Sequence, residues 1–256
     1  MNSIKQLQNM INSSSKIVFF GGAGVSTESG IPDFRSAEGL YSEKRDFKIP
    51  PETILSHHFF KSHTKEFYDF YIENLCFPDA QPNAAHKVLA ELEKTGKLSA
   101  VITQNVDGLH QLAGSKNVIE IHGSAQRNHC KKCRKQYNFN AMHQLLKNNP
   151  EGIPRCECGG IIRPDIVLYN EPLDLTTTFK AKTEIANADM LIVAGTSLSV
   201  YPAANMIHCF NGKNLVLINK DICENESTEK LRKKKNFLFI QGKVGEVLSQ
   251  ITTDTK

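Results

Sequence analysis

Four cysteines in two close pairs constrain this chain more than any other feature of its sequence. Two residues separate Cys130 from Cys133 and one separates Cys156 from Cys158, with 22 residues between the pairs. Four thiolates in this pattern are typical of tetrahedral zinc, and a site closed by four sulfur ligands serves folding rather than catalysis. A redox Cys-x-x-Cys pair is the alternative, but it would not need the second pair. We predict one structural zinc ion per chain, with His129 as a weaker alternative ligand.

Six short apolar runs predict the fold class. They are residues 16–20, 98–103, 118–121, 190–194, 215–218 and 237–240. Helical or loop stretches lie between them, which is typical of a parallel sheet wound by crossovers. The segment 82–96 is expected to form a helix with Asn83 as its N-cap and Gly96 as its stop, and Ile4, Leu7 and Ile11 indicate a short amphipathic helix at the start.

Two segments interrupt the α/β pattern and define the expected domains. Residues 36–82 carry aromatic side chains at near-helical spacing, and residues 129–161 contain the cysteines. A chain of 256 residues can bury one good core and a small second module. We therefore expect a Rossmann-like sheet domain from 1–35, 83–128 and 162–256. The small domain would combine a helical insertion, 36–82, with a zinc-binding insertion, 129–161.

Composition narrows the classes of partner. The formal net charge is +4, and the basic run 232–235 is the one patch suited to nucleic acid. A solvated loop is the favoured interpretation of that run, so a nucleic-acid partner is not expected. No stretch of about 18 apolar residues indicates a membrane span, and the first residues lack the apolar region of a secretory signal. We expect a cytoplasmic protein without a membrane partner.

A glycine-rich turn follows the first apolar run. Residues 21–30 read GGAGVSTESG, a turn whose backbone N–H groups can approach a pyrophosphate closely. It has neither the Gly-Lys-Ser/Thr ending of a P-loop nor the spaced glycines of the usual dinucleotide fingerprint. The turn therefore favours a phosphate-bearing ligand and does not favour ordinary hydride transfer.

Polar residues follow the other apolar runs, where open α/β sheets bind their ligands. Gln104, Asn105 and Asp107 come after 98–103 and suit ribose hydroxyls and a carboxamide, although a plain polar loop is an equal alternative. His122 follows 118–121, either as a structural histidine or as a general base. The segment 194–202 (AGTSLSVYP) offers glycine and hydroxyls to a second part of a nucleotide, and Asn219 offers an amide to its ribose.

Taken together, these pieces resemble the sirtuins over nearly the whole chain. The matching segments, in the family's order, are GAGVSTESGIPDFR (22–35), TQNVDGLH (103–110), IHG (121–123), the four cysteines, IIRPDIVLYNE (161–171), GTSLSVYPAA (195–204) and LVLIN (215–219). The combination is highly specific, and the motif style is similar to the bacterial and archaeal lineage called class U. The resemblance implies a Rossmann-like large domain and a small zinc-bearing domain, with NAD and acyl-lysine meeting in the cleft.

The resemblance also implies roles for individual residues. His122 and Asn105 would be catalytic, with His122 as the general base. The cofactor set would be Ala23, Thr27, Phe34, Arg35, Gln104, Val106, Asp107, His122, Thr196, Ser197, Asn219, Lys220 and Val244. The substrate peptide would pair between two edges, formed by Val167, Leu168 and Tyr169 on one side and Ser199, Val200 and Tyr201 on the other.

The implied function is NAD-dependent protein lysine deacetylation that yields free lysine, nicotinamide and O-acetyl-ADP-ribose. Relatives that prefer acidic acyl groups carry an Ala and a Tyr-x-x-Arg pair where this chain has Thr27, Tyr68 and Tyr71, so we expect uncharged acyl groups. The family's Phe-Gly-Glu turn is Tyr169-Asn170-Glu171 here. A mono-ADP-ribosyltransferase and a non-catalytic nucleic-acid-binding zinc module are the two alternatives.

Overall fold

The computed structural model describes residues 3–36, 39–42, 47–221 and 225–253. All six apolar runs form strands of one sheet, as predicted. They are β1 (Ile17–Gly21), β2 (Leu98–Thr103), β3 (Val118–Glu120), β7 (Met190–Ala194), β8 (Asn214–Asn219) and β9 (Phe237–Gln241). Their order is β3-β2-β1-β7-β8-β9, and every neighbouring pair is parallel. The order reverses direction beside β1, which is where a sheet of this kind opens a crevice for a ligand.

Helices cover both faces of this sheet and bury its apolar side chains. One core contains side chains of α1 (Ser3–Asn12), α5 (Ala84–Lys94) and α10 (Val244–Leu248) together with sheet residues. The opposite core contains side chains of α8 (Leu175–Ala186), the 3₁₀ helix Ala203–Cys209 and α9 (Glu226–Arg232). A short helix, α6 (Leu109–Leu112), follows β2. Burial on both faces explains why the strands read as continuous apolar runs.

Local signals set the ends of α5 as the sequence predicted. The side chain of Asn83 accepts a hydrogen bond from the N–H of Ala85, and the Asn83 N–H donates to Nδ1 of His86. Together they form a capping box that satisfies N–H groups of the first turn. Gly96 follows the helix with φ 76°, a left-handed conformation that glycine adopts without a steric cost.

A second, three-stranded antiparallel sheet was not anticipated from the sequence. It contains β4 (Gly123–Cys130), β5 (Gln136–Asn138) and β6 (Ile162–Ile166) in the order β5-β4-β6. The pairing of β4 with β6 is irregular between Ser124 and Asn128, which breaks the alternation that marks a strand in sequence. β4 extends across the expected domain limit at 128/129, whereas β6 begins at the other expected limit, 161/162. The domain division itself stays a prediction.

Four helices pack with the second sheet around a third apolar core. They are α2 (Pro51–Ile54), α3 (His57–Ser62), α4 (Thr64–Leu75) and α7 (Phe139–Lys147). The aromatic side chains at near-helical spacing in 36–82 belong to α3 and α4 and are all buried there: Phe59, Phe60, Phe67, Tyr68, Phe70 and Tyr71. Within the described residues, no helix combines the length and apolar character needed to cross a membrane.

Candidate functional site

A cavity of about 440 Å³ lies at the carboxyl ends of the central strands, between the large sheet and the second sheet. Loops that follow β1, β2, β3, β7 and β8 line it, together with the segment after β6. Convergence of strand ends at a switch in strand order is the usual place for a ligand in an open α/β sheet. The cavity is therefore the candidate active site.

Two glycine turns meet on the floor of this cavity. The N–H of Gly24 donates to the carbonyl oxygen of Gly195 at 2.8 Å. A Cβ atom on Gly22 would lie 2.8 Å from the same oxygen, and one on Gly24 would lie 2.7 Å from the Cα atom of Gly195. Only glycine allows the turn after β1 to lie this close to the turn after β7. The sequence predicts that both turns contact a nucleotide, and this hydrogen bond holds them side by side.

Ser26 joins the turn after β1 to the loop after β2. Its hydroxyl donates to a carboxylate oxygen of Asp107 at 2.7 Å and accepts from the side-chain amide of Asn105 at 3.0 Å. The other carboxylate oxygen of Asp107 accepts from the N–H of Leu109 at 2.9 Å. Burial raises the pKa of the Asp107 carboxyl, and these donors partly oppose the rise. Asn105 and Asp107 are thus held in fixed positions before any ligand binds.

Asn219 and Gln104 fix the other side of the cavity floor through Thr196. The side-chain amide of Asn219 pairs with the backbone of Thr196, accepting from its N–H at 3.1 Å and donating to its carbonyl at 2.8 Å. The side-chain amide of Gln104 donates to the hydroxyl of Thr196 at 3.1 Å. The loops after β2, β7 and β8 are therefore linked by side chains that the sequence marked as cofactor contacts.

His122 lines the cavity with its ring oriented by the main chain. Its Nδ1 atom lies 3.0 Å from the carbonyl oxygen of Gln104. A carbonyl oxygen can only accept, so Nδ1 donates the proton and Nε2 keeps its lone pair. Burial lowers the pKa of His122, and the bond to Gln104 opposes this in part. A neutral imidazole with a basic Nε2 atom is the form that a general base requires.

The expected peptide edge after β6 uses its own N–H groups internally. The N–H of Val167 donates to the carbonyl of His122, that of Tyr169 to the carbonyl of Leu55, and that of Leu168 to the carboxylate of Glu171. Main-chain carbonyls have two lone pairs and remain able to accept. A peptide paired at this edge would therefore donate its own N–H groups to these carbonyls.

Glu171 anchors this edge. Its carboxylate accepts from Arg163 at 2.5 Å, from the N–H of Leu168 at 2.9 Å and contacts Nδ1 of His57 at 2.5 Å. The side chains of Arg163 and Glu171 are only 15% and 14% exposed, so this ion pair is shielded from solvent. Asn170, between Tyr169 and Glu171, has φ 67°, a conformation that asparagine tolerates better than most residues. The turn thus accommodates Asn170 at the position where the family has glycine.

The cavity brings together every expected cofactor residue and five of the six expected peptide residues. Its lining includes Ala23, Thr27, Phe34, Arg35, Gln104, Asn105, Val106, Asp107, His122, Val167, Leu168, Tyr169, Thr196, Ser197, Val200, Tyr201, Asn219, Lys220 and Val244. Ser199 is exposed and does not line it. Tyr68 and Tyr71 are fully buried in the third apolar core and also do not line the cavity.

The four predicted cysteines come together away from the cavity. Their sulfur atoms all lie within 4.8 Å of one another, with 3.5 Å between Cys130 and Cys158 and 3.6 Å between Cys133 and Cys156. Zinc–sulfur bonds of about 2.3 Å place neighbouring sulfurs of a tetrahedron about 3.8 Å apart. The residues present therefore fit a four-coordinate zinc ion. Among the described residues they form the one such cluster of metal-binding side chains, and His129 instead contacts Asp165.

Local structure prepares the cysteine cluster for a metal. A Cβ atom on Gly160 would lie 2.6 Å from the sulfur of Cys130, so only glycine fits beneath the cluster. The hydroxyl of Tyr137 donates to the sulfur of Cys156 at 3.1 Å. The hydrogen bond from the backbone N–H of Cys158 is the main cause that lowers the pKa of Cys156 to about 6, and the Tyr137 hydroxyl is the next. The thiolate that binds a metal is thereby favoured.

Comparisons with known proteins agree with this arrangement. A sequence model of the Sir2 family matches residues 22–202. The chain belongs to the Sir2 family, the sirtuins. It is 54% identical to a protein of Clostridium tetani named NAD-dependent protein deacetylase, over 99% of both chains. A protein of the same name from Clostridium acetobutylicum is 50% identical over 98% of both chains.

Solved Sir2 structures share the fold of this chain. A Sir2 complex with a p53 peptide and NAD⁺ has a TM-score of 0.80 at 37% identity, covering 96% of this chain and 95% of that chain. Sir2Tm bound to a propionylated peptide has a TM-score of 0.80 at 35% identity, covering 97% and 96%. Membership of the Sir2 family and the Rossmann-like fold with its cysteine cluster are confirmed, whereas the class U subtype stays a prediction.

Ser26, Tyr41 and Glu171 line the cavity of this Sir2 chain but are not among the residues that the sequence predicted for the site. Ser26 and Glu171 lie inside the segments that resemble the family, but the site was predicted from the glycine and aromatic residues beside them. Tyr41 lies between segments. Each of the three contacts a residue far away in the chain, such as Ser26 with Asp107, and no local sequence pattern predicts such a contact.

Proposed function

We propose that this chain is an NAD-dependent protein lysine deacetylase that converts acetyl-lysine, NAD and water into lysine, nicotinamide and O-acetyl-ADP-ribose. The observation that carries the proposal is His122, which lines the cavity with Nδ1 bonded to the Gln104 carbonyl and Nε2 left as a base. The names of the C. tetani and C. acetobutylicum relatives and the Sir2 complexes with NAD⁺ and acylated peptides support it.

The cavity floor suits the two halves of NAD. The paired glycine turns after β1 and β7 offer close backbone approach to the pyrophosphate, near the cationic side chains of Arg35 and Lys220. Ala23, Thr27 and Phe34 would lie along the dinucleotide, and Thr196, Ser197, Asn219, Lys220 and Val244 along its adenosine half. Gln104, Asn105, Val106 and Asp107 would hold the nicotinamide ribose and carboxamide.

The residues of this chain position two reactants and move one proton. Bound NAD supplies a ribose carbon whose bond to nicotinamide can break. Asn105 and Asp107, fixed by Ser26, would orient that ribose so that the weakly nucleophilic acyl oxygen meets it in line. His122 would accept a proton from a ribose hydroxyl at Nε2, while its Nδ1–H continues to donate to the Gln104 carbonyl. Bound NAD would thus offer an activated hydroxyl to the acyl carbon, and one water molecule would complete the reaction as nicotinamide and the lysine amine leave.

The acyl-lysine peptide would lie between Val167–Tyr169 and Ser199–Tyr201. Strand addition of this kind gives affinity through main-chain bonds with little demand on substrate sequence. The acyl group is expected to be uncharged, because a carboxylate held in the cavity without a paired cation would be costly. Neither Tyr68 nor Tyr71 lines the cavity, so this expectation rests on the sequence resemblance.

A zinc ion bound by Cys130, Cys133, Cys156 and Cys158 would have a structural role. It would tie the loop after β4 to the loop before β6, and β6 leads directly into the expected peptide edge. The proposal includes the division into a Rossmann-like domain and two small-domain insertions. It also includes a cytoplasmic location and acetylated proteins as partners.

Mass spectrometry of the products tests this function. The purified chain would be incubated with NAD and an acetyl-lysine peptide, with a succinyl-lysine peptide as the comparison. The expected products are deacetylated peptide and O-acetyl-ADP-ribose in equal amounts, with about 100-fold lower kcat/KM for the succinyl peptide. ADP-ribose attached to an acceptor protein, with the peptide still acetylated, would contradict deacetylation and support ADP-ribosyl transfer.

A further inference from the structure

Two tyrosine hydroxyls join the segment that carries expected cofactor residues to the expected peptide edge. The hydroxyls of Tyr41 and Tyr169 lie 2.9 Å apart, both residues line the cavity, and one hydroxyl donates to the other. Burial is the main cause that raises the pKa of Tyr41, and the hydrogen bond to Tyr169 adds to it, so the Tyr41 hydroxyl keeps its proton. Tyr169 occupies the phenylalanine position of the sirtuin turn, so the family pattern does not supply its hydroxyl.

Tyr41 is fixed against the residues expected to contact NAD. Its N–H donates to the carbonyl of Phe34 at 2.7 Å, and the two rings lie 5.3 Å apart between centroids. The guanidinium carbon of Arg35 lies 5.3 Å from the centre of the Tyr41 ring. Movement of the Tyr41 ring would therefore displace Phe34 and Arg35, which stand in the cofactor-binding segment.

Tyr169 is fixed within the peptide edge in the same way. Its N–H donates to the carbonyl of Leu55, and its carbonyl accepts from the N–H of His57, both at 3.0 Å. Its neighbour Leu168 is bonded to Glu171. A peptide bound at this edge would restrict Tyr169, and through the hydroxyl pair it would restrict Tyr41.

We propose that Tyr41 and Tyr169 are positioning residues that make NAD and the acyl-lysine peptide bind cooperatively. The inference rests on the proposed function. Either bound reactant would hold one end of the hydroxyl pair, and the contacts of the pair would hold the other segment in the matching arrangement for the second reactant. Because such coupling is reciprocal, each reactant should strengthen binding of the other by the same factor.

Calorimetry with carba-NAD, an analogue that cannot release nicotinamide, measures this factor. The dissociation constant for carba-NAD would be determined without peptide and with saturating acetyl-lysine peptide. We expect carba-NAD to bind about three- to tenfold more tightly with peptide, the range of one hydrogen bond. Titrating peptide in the absence and presence of carba-NAD should give the same factor.

Removing either hydroxyl should abolish the coupling while keeping the rings. In Tyr41→Phe, Tyr169→Phe and the double variant, the factor should fall to about one, and the double variant should lose no more than either single one. Ser62→Ala is the control, because it removes an exposed hydroxyl that bonds to the His58 carbonyl outside the cavity, and it should keep the wild-type factor.

Three outcomes would overturn the inference alone. They are a wild-type factor of one, a wild-type factor retained in Tyr169→Phe, and equal weakening of carba-NAD binding with and without peptide, which indicates a merely structural hydroxyl. If Tyr169→Phe does not fold, Tyr41→Phe decides the same question. Failure of the wild-type protein to bind carba-NAD at all would instead contradict the proposed function.

Discussion

The Nδ1 atom of His122 lies 3.0 Å from the carbonyl oxygen of Gln104, and this contact determines the tautomer of the ring. Gln104 is itself fixed, because its N–H donates to the carbonyl of Gly21 at the end of β1 and its side chain donates to Thr196. The orientation of the proposed base therefore depends on the same loops that form the cavity floor. Gln104 therefore links the strand ends of the sheet to the protonation of His122.

The pH dependence of turnover should reflect the burial of His122. Burial lowers the pKa of this imidazole, so the neutral base persists to more acidic solution than an exposed histidine would allow. We expect kcat/KM for acetyl-lysine peptide to be constant from about pH 8 down to about pH 6.5, and to fall only below the ordinary histidine value of about 6.5. An acid limb centred above that value would contradict this assignment of the base.

Stability should decrease in mild acid because two histidines are buried as neutral rings. His86 and His110 pack 4.7 Å apart between centroids, and burial lowers their pKa values to about 4 and about 3. The unfolded chain protonates both below about pH 6.5, so it binds more protons and the free energy of unfolding falls as pH falls from about 6.5 towards 4. Each histidine contributes a slope of about 1.4 kcal/mol per pH unit.

Urea unfolding at several pH values checks this slope. His110→Leu removes one titrating ring, so its slope should be about 1.4 kcal/mol per pH unit smaller than that of the wild type. His58→Ala changes an exposed histidine of α3 and should leave the slope unchanged. Identical slopes in wild type and His110→Leu would show that burial of this ring does not control acid stability.

Much of the large sheet was predictable, because burial on both faces makes its strands local apolar runs such as 190–194 and 215–218. The second sheet was not. β4 reads GSAQRNHC and pairs irregularly with β6, so no period of two appears in its sequence. The contacts that orient the site, such as Ser26 with Asp107, join residues distant in the chain, and only the fold brings them together.

Removal of zinc should unfold the second sheet locally and stop turnover. Cys156→Ser deletes a ligand whose thiolate is stabilised by its neighbours, so metal content should fall from one ion per chain to about zero. Cys209→Ser, outside the cluster, should keep the full metal content. Elemental analysis of both purified proteins checks this, and one retained zinc per chain in Cys156→Ser would exclude the four-sulfur site.

Glu171→Gln should weaken peptide binding more than NAD binding. The change keeps the shape of the side chain but removes the charge that holds Arg163 and His57 at the peptide edge. We expect KM for the peptide to rise about tenfold and KM for NAD to change less than about twofold. Glu91→Gln, in an exposed ion pair with Lys94, is the control and should leave both unchanged. Equal increases in both KM values would show that Glu171 supports the fold generally.

The most direct test is an assay of the deacetylated peptide that wild type, His122→Ala and His58→Ala form from acetyl-lysine peptide and NAD. The account predicts that deacetylation by His122→Ala falls by about 10²–10⁴, with the fold and zinc retained, because the ribose hydroxyl loses its base. His58→Ala should turn over at the wild-type rate, since this exposed ring does not line the cavity. Equal turnover by wild type and His122→Ala would contradict the account.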